Sequence, residues 1–261
     1  ADMHLNFNQM FGYNTVEVGG VHYVNSANLS KYVSNISLEI DGVVERKLSA
    51  DMHLNFNQMF GYNTVDGFIY MPFGGPFQFD DWRAEDAYAL GTGNVRSLRL
   101  LFELTSDWVD GSMFIDVMPE YTASRRQLEF IRTQKSYRYT VAGAGEFTIS
   151  DLPVHADIGA LYVIGTGINK AKLIVDDVEL FDASNYHMQA LNKLYGHDST
   201  LLGDGVTFDF LRTKEISKGL RSLRTQEQRK RNADIRLTLD MQAAGEVNVI
   251  MDQIGRYATQ G

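Results

Sequence analysis

The stretch Asn35–Gly61, NISLEIDGVVERKLSADMHLNFNQMFG, decides the fold, because a diverged copy of it stands at Lys170–Gly196, KAKLIVDDVELFDASNYHMQALNKLYG. The two align without a gap at a constant offset of 135 positions. Leu38/Leu173, Asp41/Asp176, Val43/Val178, Ser49/Ser184, Asn57/Asn192 and Gly61/Gly196 are identical, while Ile40/Val175, Phe56/Leu191, Met59/Leu194 and Phe60/Tyr195 exchange one apolar group for another. Each copy reads as an alternating strand, a turn at Asp41-Gly42 or Asp176-Asp177, then a short amphipathic helix closed by glycine. A period of this length exceeds a solenoid repeat and matches a small domain. One module is used twice.

Outward from this stretch the match continues. Asp66–Tyr70 parallels Asp204–Phe208 and Ser97–Glu103 parallels Asp234–Asp240, at offsets of 138 and 137. The modules therefore differ in loop length by only a few residues. The junction is expected at 122–126, between an N-terminal module at 17–121 and a C-terminal one at 127–261. A second repeat is of another kind. Ala1–Val16, ADMHLNFNQMFGYNTV, is identical at every position to Ala50–Val65. Structural repeats drift, so perfect identity marks a recent duplication or an artefact, and 1–16 is set aside from the functional reading. An extended or irregular conformation is expected there, despite the helix expected for its twin, because tertiary context overrides weak propensity.

Most segments after residue 17 read as short strands: 18–24, 36–41, 67–73, 97–104, 113–118, 128–132, 137–141, 146–149, 160–165, 171–176, 206–210, 234–241 and 246–251. Glycine-containing breaks every 8–15 residues favour antiparallel sandwiches over βαβ units. Helical spacing is credible at 50–60, 184–195 and 215–230 only. About eight strands per module in two sheets is the jelly-roll number. The fold class is therefore all-β, two tandem eight-stranded jelly-roll sandwiches with a few short helices.

Bulk composition narrows function. The 261 residues are 44% hydrophobic and 22% charged with four prolines, which is a globular and not a disordered composition. Apolar runs are too short for a transmembrane helix. Cys is absent and no basic-then-apolar leader pattern is seen, so synthesis in a reducing compartment, the cytoplasm, is expected. A net charge of −9 argues against direct contact with nucleic acid, whose phosphates call for a basic surface.

Catalytic motifs are missing. The six histidines form neither His-x-His nor His-Glu-x-x-His, so a bicupin, the obvious enzyme of tandem sandwiches, lacks its metal ligands. Gly91-Thr92-Gly93 and Gly165-Thr166-Gly167 lack the third glycine of a dinucleotide site, and no Gly-x-Ser-x-Gly elbow occurs. Two acidic clusters could offer oxygens to calcium: Asp80, Asp81, Glu85 and Asp86 around Trp82, and Asp176, Asp177, Glu179 and Asp182. Neither has EF-hand spacing, so solvated acidic loops are the plainer reading and no cofactor beyond calcium is considered. Lys218, Arg221 and Arg224 share a helical face, and Arg229, Lys230 and Arg231 follow. With Arg125 and Arg126 at the junction they are candidates for facing anionic lipid or an acidic neighbour, a solvated helix being the alternative.

Landmarks along the chain carry a resemblance. They are Leu38-Glu39-Ile40-Asp41-Gly42 before a helix, Ala89-Leu90-Gly91-Thr92 before a long strand, and Thr148-Ile149-Ser150-Asp151-Leu152-Pro153. Thr207-Phe208-Asp209-Phe210-Leu211, Arg236-Leu237-Thr238-Leu239-Asp240 and Glu246-Val247-Asn248-Val249-Ile250 follow. Their order, over roughly 17–255, resembles the double jelly-roll major capsid proteins of membrane-containing icosahedral bacteriophages of the corticovirus and tectivirus type, most closely the corticovirus one. The resemblance implies a non-enzymatic virion protein. It implies homotrimers of near-hexagonal outline, tiled in a capsid lattice with minor capsid and vertex proteins over an internal lipid membrane. Two other readings stand beside it: a lectin-like carbohydrate-binding sandwich, and the bicupin already weakened by its missing ligands.

Overall fold

The computed structural model describes residues 2–9, 15–18, 21–25, 28–63, 65–72, 90–110, 113–120, 127–153, 157–211, 219–220, 225–227 and 233–257. They fall in two compact units, one of residues 1–132 with 257–261 and one of 133–256. The junction expected at 122–126 lies outside the described residues.

The N-terminal unit runs β1 (Asp2–Gln9), β2 (Thr15–Val18), β3 (Val21–Val24), α1 (Leu29–Tyr32), β4 (Val33–Ile40), β5 (Val43–Ser49), α2 (Ala50–Met59), β6 (Phe68–Met71), β7 (Leu98–Leu104) and β8 (Met113–Glu120). One sheet is ordered β5-β4-β7. In the other, β1 pairs with β8 along its whole length, from Asp2↔Glu120 to Gln9↔Met113. It also pairs with β6, from Met3↔Met71 to Asn6↔Phe68, and touches the β2–β3 hairpin at Asn8↔Tyr23. Ile36, Leu38, Ile40, Ile69 and Met71 lie between the layers at 1% exposure or less.

The C-terminal unit runs β9 (Phe130–Val141), which begins just ahead of it, β10 (Gly145–Ile149), β11 (Asp157–Gly165), β12 (Ile168–Val175), β13 (Val178–Ser184), α3 (Asn185–Leu194), β14 (Val206–Asp209), β15 (Ile235–Met241) and β16 (Gly245–Arg256). Its strands form two sets of four, β14-β11-β16-β9 and β10-β15-β12-β13. The first strand lies beside the last, and consecutive strands alternate between the two sets except at the β12–β13 hairpin, which is the jelly-roll winding. Strict alternation shows in β15, where Ile235, Leu237, Leu239 and Met241 are buried and the residues between them are not.

Several expectations are revised. The duplicated stretch is strand, turn, strand, helix in both units, so β5 and β13 were missing from the strand–turn–helix reading. The segment 18–24 is part of a hairpin, β2 and β3, and 128–132 and 137–141 are one strand, β9. Expected helices at 50–60 and 184–195 are α2 and α3. The helix expected at 215–230 falls mostly outside the described residues. The segment 1–16 deserves more than exclusion. Asp2–Gln9 is a strand held between β8 and β6, the place that β11 holds between β16 and β14. Its sequence twin Asp51–Gln58 is helical. Apolar groups at alternate positions of Met-His-Leu-Asn-Phe suit a strand, while the Ser49 cap ahead of the twin starts a helix.

Candidate functional site

Five of the six identities of the internal repeat sit at structural devices that recur at the same offset. Asp41 and Asp176 sit at the hairpin turns with φ of 49° and 50°, a left-handed backbone that Asp tolerates better than most residues. Asp41 Oδ1 accepts the N–H groups of Arg96 and Ser97 at 2.8 and 2.7 Å, and Asp176 Oδ1 accepts that of Asp234 at 3.2 Å. Each hairpin turn is thereby tied to the residues entering β7 or β15. The strand pairs slip by one residue at Leu38/Glu39 and again at Leu173/Ile174. Ser49 and Ser184 cap the helices, accepting from Met52 N at 3.2 Å and His187 N at 3.3 Å. Asn57 and Asn192 then donate from their amides to the carbonyls of Tyr70 and Thr207, at 2.9 and 3.0 Å, pinning each helix to the strand that follows it. Gly61 and Gly196, with φ of 82° and 85°, close them.

The acidic candidates at 176–182 are engaged by the protein itself. Asp177 pairs with Arg236, Glu179 with Lys172 at 2.6 Å, and Asp182 with Lys170 at 2.7 Å. The hydrogen bond to Glu179 holds Lys172 above its ordinary value. These are cross-strand pairs on a sheet face. Among the described residues no group of three or more acidic or histidine side chains is placed to hold a metal ion. Asp80, Asp81, Glu85 and Asp86 lie outside the described residues, as do Arg125, Arg126, Lys218, Arg221, Arg224, Arg229, Lys230 and Arg231.

Sequence periodicity gave no sign of the polar groups that are buried. In the N-terminal unit Arg46 points inward at 4% exposure, donating from Nε to Arg132 O at 3.2 Å and from a terminal nitrogen to Pro72 O at 2.7 Å. His53 of α2 is 6% exposed, and burial followed by the charge of Arg46 pushes its pKa down to about 4. The corresponding residues of the other unit are Phe181 and Met188, where Phe181 packs against Phe208 and Phe210 at centroid distances of 5.5 and 6.2 Å. The C-terminal unit has its own buried pair, His197 Nδ1 to Asp209 Oδ2 at 2.5 Å, where the N-terminal unit has Tyr62 and Met71. Tyr257 donates to Asp41 Oδ2 at 2.5 Å; this bond holds the Asp41 carboxyl below its usual range and lifts the Tyr257 phenol to about 12.

Residues 131–257 match the family model of the viral coat protein P2 C-terminal domain. The matched span is the C-terminal unit nearly end to end. Three solved structures share the whole architecture. The major capsid protein P2 of bacteriophage PM2 superposes with a TM-score of 0.77 at 15% identity, covering 100% of this chain and 88% of that one. The major capsid protein of Sulfolobus Turreted Icosahedral Virus gives 0.60 at 12% identity, over 97% and 87%. The PBCV-1 virus capsid gives 0.50 at 12% identity, over 99% and 87%. No curated protein sequence matches. At such identities the superpositions establish the fold, and the chain is a double jelly roll.

Proposed function

We propose that this chain is a major capsid protein whose homotrimers tile the icosahedral shell of a lipid-containing bacteriophage, a structural and non-enzymatic role in the virion. The observation that carries the reading is the duplicated hairpin–helix frame in one chain, joined to the coat-protein match of its second half. The three solved structures that share the fold are capsid proteins, whereas nothing comparable favours the lectin-like alternative.

Physical argument supports the trimer. Two similar wedges on one chain become six around a threefold axis, giving a near-hexagonal outline from closed symmetry, and hexagons cover a facet with few gaps. A stable contact of this kind should bury more than about 2,000 Å². Minor capsid and vertex proteins would fill the places where hexagons cannot pack. An acidic protein of net charge −9 is ill suited to coating DNA, so an internal membrane is the expected neighbour beneath the shell, with Arg125, Arg126, Arg229, Lys230 and Arg231 as its candidate contacts.

Electron microscopy of the purified protein tests the outline. Near-hexagonal plates with threefold averages are expected; single elongated particles with no threefold class would contradict the reading. Flotation with anionic and neutral vesicles tests the lipid contact. Anionic vesicles should capture the protein, and replacing Arg229, Lys230 and Arg231 by Ser should release it; capture that is indifferent to the replacement would remove these residues from that role.

A further inference from the structure

We propose that His53 is a proton sensor, whose protonation loosens α2 in the N-terminal unit while leaving the corresponding α3 of the C-terminal unit in place. This holds independently of the capsid reading. His53 lies on the face of α2 turned to the core, and its Nε2 has no hydrogen-bond partner among the described residues. A ring in that position can be neutral at little cost, but its imidazolium would carry an N–H with nothing to receive it.

The charged groups on the elements packed against α2 make this worse. β6 carries none. On β4, Glu39 pairs with Arg99 at 3.5 Å, and on α1, Lys31 pairs with Asp107 at 3.9 Å. On β5, Lys47 pairs with Glu103, and Glu45 acts on Tyr257. Asp51 of α2 itself is exposed. Arg46 of β5 is the charged group that bears on His53, and it is positive and buried. Its own hydrogen bonds run to the carbonyls of Arg132 and Pro72. Protonated His53 would thus set a second cation beside it in a region of low dielectric, opposed only by a hydrogen bond to the Ile36 backbone.

The C-terminal unit lacks this arrangement at the same two positions, which are Phe181 and Met188. Its histidines differ in kind: His187 is exposed beside Ser184, and His197 has the Asp209 carboxylate as partner. The sign follows from the direction of the shift. The folded-state value of His53, about 4, lies below the ordinary imidazole value of 6.5. Stability is therefore complete above pH 6.5 and declines as pH falls from there toward 4. Between pH 7 and 5 the opening equilibrium of α2 should rise about 20-fold.

Hydrogen exchange on the intact chain at pH 7 and pH 5, corrected for intrinsic rates, reads this directly. Amides of α2 should gain about 20-fold in opening while those of α3 change by less than about twofold. In His53→Met, which installs the residue of the other unit, the α2 response should vanish. The His53 ring resonances of the wild-type protein supply a second measurement that needs no variant, with a midpoint near 4 expected. A midpoint near 6.5, a pH response retained by His53→Met, or equal responses of α2 and α3 would each overturn the proposal.

Discussion

The two units share their backbone devices and differ in what fills the space between them. Turn aspartate, slipped strand pair, serine cap, bridging asparagine and closing glycine recur at one offset. The contents of the frame are traded. At positions 46 and 53 the N-terminal unit buries Arg and His where the C-terminal unit has the partly buried Phe181 and the buried Met188. At positions 62 and 71 the exchange runs the other way, Tyr62 and Met71 against His197 and Asp209. The frame fixes the path of the chain, because a left-handed turn residue or a buried bridging amide has few substitutes. Filling needs only volume and satisfied polar atoms, so it drifts.

This contrast can be broken most sharply at the C-terminal pair. His197→Ala leaves the Asp209 carboxylate buried at 1% exposure without its imidazole partner, keeping the Leu211 N–H at 2.8 Å. A loss of about 3 kcal/mol in urea unfolding of that unit is expected. The matching Tyr62→Ala removes a half-buried ring packed on Tyr70 at 4.8 Å and should cost about 1 kcal/mol. Equal losses would mean that the filling is not traded as described. The bridging amides come next. Asn192→Ala and Asn57→Ala strand the carbonyls of Thr207 and Tyr70, and each should cost about 2 kcal/mol, in its own unit only. Ser49→Ala and Ser184→Ala should each cost about 1 kcal/mol. A serine whose loss is silent in one unit would end the claim of a common cap. The smallest effect concerns ions. Chelation should leave the melting temperature unchanged, because Asp177, Glu179 and Asp182 are held by Arg236, Lys172 and Lys170. A drop on chelation would assign calcium to one of the acidic loops.

Much of the frame was legible because its identities are chemical signals: Asp-Gly turns, a serine before an amphipathic run, a glycine after it. The second strand of each hairpin was not. Val43–Ser49 has Arg46 turned inward, and Val178–Ser184 is partly exposed along its whole length, so neither shows clean alternation. β1 was expected to be extended or irregular, but its place within a sheet was hidden for a different reason. Its sequence is that of α2, and the choice between strand and helix lies in neighbours: β8 and β6 for one copy, the Ser49 cap for the other. Buried polar groups such as His53 and Asp209 are invisible to hydrophobic periodicity, which assigns them to the surface. The metal candidates at 176–182 were found as a cluster, but their cationic partners come from β12 and β15. Only cross-strand register shows that.

The central claim, that one duplicated module builds half of a hexagonal tile's symmetry into each chain, is tested most directly by sedimentation velocity of the purified protein across micromolar concentrations. A single species of three chains that persists on dilution is the result expected. A monomer throughout that range would contradict the account.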